Sequence, residues 1–308
     1  MSNIFVQIAS YRDPELIPTI EDCLEQATNP LDLTFGICNQ YHEDDDWSLD
    51  EYRKNKNFTI MDVPWNESKG LCWARGEIQK MWNGEDYTLQ IDSHHRFAKG
   101  WDTQLIEMLE KLQDKGHEKP ILTSYAGMYS PKDNKKINQE PFRMVGKRFT
   151  PSGTILFFPE YINDYKQRTE PLPARFVSGH YFFTLGKHCE EYKYDPNLYF
   201  AGDEISLSIR SWTLGYDIFH PHITLVWHEY TREGRVKHWD DFVRKNEEKI
   251  EAKWHEMDKV SKKRLRKMLR EEGNDSDVTG YDLGKVRKHE KYEKWAGIDF
   301  KNTFFFFF

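Results

Sequence analysis

The stretch YTLQIDSHHRF, Tyr87 to Phe97, ends an apolar run in Asp92-Ser93-His94-His95-Arg96. In extended chain, residues i and i+2 point to the same side. Asp92 and His94 can therefore converge on one point while Ser93 faces away. A carboxylate and an imidazole together suit Mn²⁺ or a similar divalent ion holding phosphates. The competing explanation is an Asp capping the next helix and a His making a surface hydrogen bond. A third ligand has to come from far away in sequence. His228 follows the apolar run from Ile223 to Trp227 and so stands at another strand end, whereas His220 and His222 flank Pro221 in a turn. His95 is a spare imidazole that could replace His94 if the strand ended one residue differently.

Such residues need a frame. Ile4 to Ala9, Leu33 to Asn39, Phe58 to Val63, Tyr87 to Ile91 and Pro120 to Ser124 read as strands. Helices are expected from the Asp13-Pro14 turn to about Glu25, from Gly70 to Trp82 and from Trp101 to Leu112. This β-α-β order implies a largely parallel, doubly wound α/β sheet. Ligands of such sheets bind beyond the carboxyl ends of the strands, where Asp92 and His94 stand. The second half is mixed, with strands near Gly153–Phe158, Arg175–Thr184 and Tyr216–Phe219 and a helix at Asp203–Leu214. From Lys237 the chain is charged and reads as helical, including SKKRLRKMLR. A Gly/Asp-rich break follows at Glu272–Tyr281, then a charged tail ending in five phenylalanines. The expected division is a catalytic domain over 1–235, a helical extension and possible lid over 236–303, and a poly-Phe tail over 304–308 with no function attached.

Composition narrows the class. With 308 residues and 38% hydrophobic content, a sizeable core can form. Lys+Arg 44 against Asp+Glu 51 gives a net charge of −7, which does not suggest general binding to nucleic acid. SKKRLRKMLR could meet an acidic acceptor or nucleic acid, but such a run is more often a solvated helix face. No run of about 18 apolar residues suggests a membrane helix. The first residues read as a strand and not as a signal peptide. Cys23, Cys38, Cys72 and Cys189 are scattered without a CxxC, as reduced core thiols of a cytoplasmic protein would be.

Seven segments then fall into one pattern: IFVQIASYRDPEL, the NQY after the second strand, KGLCWARG, QIDSHHRFAKGWD, FVSGHYFF, LYFAGDEISLSIRSWTLGYDIFHP and GYDLGKVRKHEKYEKWAGIDF. In joint order and spacing they resemble the UDP-GlcNAc-dependent glycosyltransferases that add α-linked GlcNAc to hydroxyproline in a cytoplasmic Skp1-type protein. These enzymes have the GT-A fold, a Rossmann-like, doubly wound mixed sheet, and are distantly similar to the polypeptide GalNAc-transferases. The resemblance implies Asp92 and His94 as DxH-type metal ligands with His228 as the third, Mn²⁺ dependence, a retaining transfer, a UDP-sugar donor and a protein or glycan acceptor.

Other segments follow from the same resemblance. Ser10, Tyr11 and Arg12 would hold uracil and ribose, although Asp13-Pro14 alone would explain a turn there. Lys69, Gly70 and Arg75 precede or open a helix, where glycine admits a ligand and Arg pairs with phosphate or a metal-site carboxylate. Ser93, Gly179 and His180 are candidate donor contacts, although a lone His beside aromatic strand residues is more often structural. Asp203 and Glu204 form the candidate catalytic pair, binding sugar hydroxyls or orienting the acceptor; an acidic helix start is also favoured by the helix dipole. Arg287 and Lys288 could close over the diphosphate. A metal-dependent hydrolase fits the Asp/His cluster but leaves Arg12, Arg75 and Ser178-Gly179-His180 unexplained. A non-catalytic nucleotide-sugar-binding module has no need of all these ligands and acids.

Overall fold

The computed structural model describes residues 2–269 and 277–306. Part of the expected Gly/Asp-rich break and the last two phenylalanines lie outside them.

The first half contains β1 (Ile4–Tyr11), α1 (Leu16–Gln26), β2 (Leu33–Tyr41), α2 (Asp50–Arg53), β3 (Phe58–Pro64), α3 (Leu71–Gln79), β4 (Tyr87–Asp92), β5 (His95–Phe97), α4 (Trp101–Asp114), β6 (Pro120–Thr123), β7 (Gly127–Ser130), β8 (Lys135–Lys136) and β9 (Phe142–Phe149). After these come β10 (Ile155–Tyr161), β11 (Leu172–Pro173), β12 (Tyr181–Leu185), α5 (His188–Glu191), α6 (Asp203–Thr213), β13 (Asp217–His220), β14 (Val226–His228), α7 (His238–Asp241), α8 (Trp254–Met268), α9 (His289–Ala296), β15 (Ile298–Asp299) and β16 (Phe304–Phe305). Ile4 to Ile8 are all buried, as a strand covered on both faces requires. On α4, Trp101, Leu105, Met108, Leu109 and Leu112 make one buried stripe at helical spacing.

Eight strands form the main sheet in the order β11-β13-β6-β12-β4-β1-β2-β3. β1 to β4 run parallel, whereas β12 lies antiparallel between β4 and β6. The sheet is therefore mixed. This reversal matters, because the start of β12 meets the carboxyl end of β4: Tyr181 is the register partner of Ile91. The expected strand over 175–184 begins only at Tyr181. Before it, the Val177 and Ser178 amides donate to the side chains of Ser208 and Thr123 instead of to a neighbouring strand.

A second sheet, β5-β14-β7-β8, stands beside that end. β14 pairs antiparallel with β5, setting His228 opposite His95. The fold thereby brings His228, 136 residues from Asp92 in sequence, next to the Asp-Ser-His turn.

One core cluster joins the sheet to α1 and α4. Another joins Ile121, Phe182 and Ile205 to Leu265 and Met268 of α8 and Tyr292 and Ala296 of α9, so the C-terminal extension shares a core with the sheet. Phe305 pairs in β16 and packs on Phe149, 5.4 Å between ring centres. All four cysteines are free and buried. Among the described residues, no helix is long and apolar enough to cross a membrane.

Candidate active site

Asp92 is the last residue of β4, beside Ala9 of β1. Its Oδ2 lies 3.4 Å from His228 Nε2 and 3.9 Å from His94 Nε2. One ligand atom from each of Asp92, His94 and His228 lies within 4.8 Å of the others. Ser93, just past the end of β4, does not face away as strand alternation would have it; it donates its hydroxyl to Asp13 Oδ2 at 2.7 Å and lines the same cavity as Asp92 and His94. The same Asp13 oxygen lies 2.6 Å from His94 Nδ1. One carboxylate, two imidazoles and a carboxylate behind one imidazole form a donor set that fits a divalent ion such as Mn²⁺. Burial opposes ionisation of Asp92, yet its contact with His228 and the Arg75 cation hold its carboxyl well below the usual range. Burial keeps the His228 imidazole well below its usual value, in the neutral form that ligation needs.

His95 does not join this group. It is fully buried and its Nδ1 lies 3.2 Å from the Asp92 carbonyl. His220 is likewise spent in the core, 2.7 Å from the Thr123 carbonyl.

Arg75, on α3, is 2% exposed and ties several parts together. Its guanidinium donates to Asp92 Oδ1 at 2.9 Å, to the Gly179 carbonyl at 2.6 Å, and to Asp203 Oδ2. A Cβ on Gly179 would stand 2.7 Å from that Asp203 oxygen, so only glycine fits here. Asp203 opens α6 behind Gly202, whose φ of 98° favours glycine. Burial pushes the Asp203 carboxyl up against the pull of Arg75, and its Oδ1 is buried with no hydrogen-bond partner among the described residues. Glu204 Oε1 accepts from the Gly179 amide at 3.2 Å. Burial, opposed by that bond and helped by Asp203, pushes the Glu204 carboxyl up to about 7.

A cavity of about 160 Å³ opens beside this cluster, lined by Tyr11, Gly70, Asp92, Ser93, His94 and His228. Arg232, Arg235 and Lys237 also line it, and Arg235 Nη1 lies 2.5 Å from His94 Nδ1 and 3.0 Å from His94 Nε2. Arg12 borders the region but is engaged with Asp45 and Asp241, at 3.3 and 2.9 Å, and Tyr11 donates to the same Asp241. Ser10 is buried with its hydroxyl unpartnered among the described residues, and Lys69 is exposed at the start of the α3 turn.

Two expectations change. His180 is internally satisfied: its Nδ1 meets Ser178 Oγ at 2.9 Å and its Nε2 accepts from the Ala126 amide at 3.2 Å. Arg287 lies away from the cluster. It pairs with Asp217 at 2.8 Å, donates to the Gly215 and Tyr216 carbonyls, and stacks over Trp212. Asp217 begins β13 and pairs with Pro120 at the start of β6, at the end of the sheet opposite to the one where Asp92 closes β4. Arg287 therefore braces the back of the sheet instead of covering a diphosphate. The sequence reading missed Asp13, Glu229, Arg232 and Arg235. The dipeptide Asp13-Pro14 has a sufficient local explanation as a turn, and the cationic stretch TREGRVK sits where the catalytic region was expected to end.

The glycosyltransferase (GlcNAc) family model matches residues 3–55 and 47–302. This chain belongs to that family. Among solved structures, this glycosyltransferase is similar to GalNAc-T7 with UDP, GalNAc and Mn²⁺, at 15% identity and a TM-score of 0.60, over 96% of this chain and 55% of that one. It is also similar to residues 1–349 of TarS from S. aureus in complex with UDP-GlcNAc, at 12% identity and a TM-score of 0.53, over 94% of this chain and 72% of that one. These likenesses establish the GT-A fold. The glycosyltransferase spans about half the length of the GalNAc-T7 chain. No curated protein matches it by sequence.

Proposed function

We propose that this glycosyltransferase is a metal-dependent, retaining enzyme that moves GlcNAc from UDP-GlcNAc to a hydroxyl of a protein, either hydroxyproline or a Ser/Thr-like side chain. The observation that carries the proposal is the convergence of Asp92, His94 and His228 at the mouth of a cavity, beside the Arg75–Asp203 pair and Glu204. The neighbours support the donor class, since one structure contains UDP, GalNAc and Mn²⁺ and the other UDP-GlcNAc. The hydroxyproline acceptor and a cytoplasmic setting rest on the motif resemblance to the Skp1-type enzymes.

Cleavage at the anomeric carbon leaves negative charge on the diphosphate of UDP. Asp92, His94 and His228 would hold a divalent ion, which would supply positive charge to that leaving group. Tyr11 and Gly70 form the wall assigned to uracil and ribose. The unpartnered Asp203 Oδ1 is assigned to a sugar hydroxyl, with Arg75 fixing the carboxylate. Glu204 is assigned to orient the acceptor hydroxyl. Asp203 is held by a cation and is poorly placed to act as a covalent nucleophile. Retention is therefore assigned to attack from the leaving-group face, with the departing phosphate oxygen taking the acceptor's proton.

The test is a panel of UDP-sugars with Mn²⁺, with and without EDTA, scored by UDP release. EDTA-sensitive turnover of UDP-GlcNAc above the other donors supports the reading, and sugar found on a macromolecule separates transfer from hydrolysis. Turnover unaffected by EDTA would remove the metal from the mechanism. Preferred turnover of another UDP-sugar would reassign the donor. Transfer to a glycan or a modified DNA base instead of a protein would reassign the acceptor.

A further inference from the structure

Asp13 is 3% exposed and meets both components of the Ser93-His94 turn. Its Oδ1 is spent locally, accepting from the Glu15 amide at 3.0 Å. Its Oδ2 collects the Ser93 hydroxyl at 2.7 Å, His94 Nδ1 at 2.6 Å and Arg235 Nη1 at 3.1 Å. Arg235 is in turn anchored at 2.6 Å on Glu229, which is 1% exposed and follows His228 directly. Three segments thus meet at one carboxylate oxygen: the loop after β1, the turn between β4 and β5, and the chain leaving β14.

A carboxylate has no proton to give, so in its contact with Asp13 the His94 Nδ1 is the donor. The other ring nitrogen, Nε2, then faces Asp92 at 3.9 Å and the Arg235 guanidinium at 3.0 Å. Two other groups lie near Nδ1: Ser93 Oγ at 3.4 Å, too far to fix the ring alone, and Arg235 Nη1, which lies against the ring at 2.5 Å from Nδ1 and 3.0 Å from Nε2. We propose that Asp13 is the positioning residue of the metal site, fixing the tautomer and orientation of His94, with the Glu229–Arg235 pair bridging Asp13 and the His94 ring. This rests on the metal reading above and names residues that reading does not use.

The experiment is Mn²⁺ titration of the full chain without nucleotide, followed by the loss of the free-ion electron paramagnetic resonance signal. It covers wild type, Asp13→Asn, His94→Ala and the double variant. Loss of an outer-sphere partner weakens metal binding about 10- to 100-fold. That loss is expected for Asp13→Asn in the wild-type background and should nearly vanish in the His94→Ala background. An equal loss in both backgrounds would overturn the proposal, because Asp13 would then act on the fold and not through His94. A nitrogen-15 spectrum of wild-type imidazoles gives an answer that needs no folded Asp13 variant: His94 should carry its proton on Nδ1, and a proton on Nε2 overturns the assignment. A wild-type chain that binds no Mn²⁺ sinks the metal reading and this one with it. Wild-type binding with Asp13→Asn unchanged sinks this one alone.

Discussion

Arg75 and Asp203 form a buried ion pair, and the same guanidinium reaches Asp92 at 2.9 Å. The acidic start of α6 is thereby tied to Asp92, the carboxylate proposed to hold the metal, through one side chain. A buried carboxylate stripped of its cation is strongly destabilising, by about 3–5 kcal/mol. Arg75→Met should therefore lower unfolding stability by that order, measured by urea titration, and abolish transfer. Asp203→Asn keeps the shape and leaves Arg75 its bonds to Asp92 and Gly179. It should unfold much nearer to wild type while transfer falls far more than UDP affinity. Equal losses of transfer and UDP affinity would move Asp203 to nucleotide binding.

The metal trio makes a separable prediction. Asp92→Asn should weaken Mn²⁺ binding by about 100-fold or more in calorimetric titration, since it removes the only charged ligand of the trio. His228 is a harder position to probe. Its ring packs against those of His94, His180 and Tyr230, with centroids 4.3–4.6 Å apart, so truncation to alanine would open a cavity. His228→Gln retains more volume, and it should lose Mn²⁺ affinity while its melting temperature falls by only a few degrees. Unchanged Mn²⁺ affinity in both variants would show that Asp92 and His228 are not ligands.

Much of this site was legible because its signals are local. The apolar run ending in Asp92-Ser93-His94 showed the strand and the meeting of Asp92 with His94, and the helix-period spacing of Trp101 to Leu112 showed α4 nearly to its ends. Elements of three residues carry too little pattern to be read, so the small sheet that delivers His228 was not visible as a sheet. The β9–β10 hairpin was only half seen, because FRMVGKRF mixes Arg143, Lys147 and Arg148 with its apolar residues. Asp13 could not be recognised as a node at all. Its partners Ser93, His94 and Arg235 lie 80, 81 and 222 residues away, and only the folded chain brings them together.

Glu204 predicts a pH dependence. Its carboxyl is pushed from 4.5 up to about 7, so in the folded chain it keeps its proton where the unfolded chain has lost it. Between these two values the native state binds more protons, and stability falls as pH rises, by at most about 1.4 kcal/mol per pH unit from this one group. Above about 7 both states are ionised and the slope vanishes. Unfolding midpoints measured from pH 4.5 to 8 should show this decline in wild type and a flatter profile in Glu204→Gln. If the ionised form orients the acceptor, transfer should rise through pH 7 in wild type, and the variant should lose that limb. A rising limb that persists in Glu204→Gln would assign it to another group.

Arg287 tests the correction to the sequence reading. It was expected over the diphosphate, but it sits at the start of β13 with Asp217, the Gly215 and Tyr216 carbonyls and the face of Trp212. The pair is partly exposed, with 27% and 28% of the two side chains accessible, so its charge is well screened. Partly exposed ion pairs and cation–π contacts each contribute about 0.5–1 kcal/mol. Arg287→Ala should therefore cost about 1 kcal/mol of stability, read as a shift in denaturation midpoint, and leave UDP affinity within about twofold of wild type. A selective tenfold loss of UDP affinity without a stability change would mean that Arg287 leaves Asp217 when nucleotide binds and that the chain end reaches across the sheet to close the site.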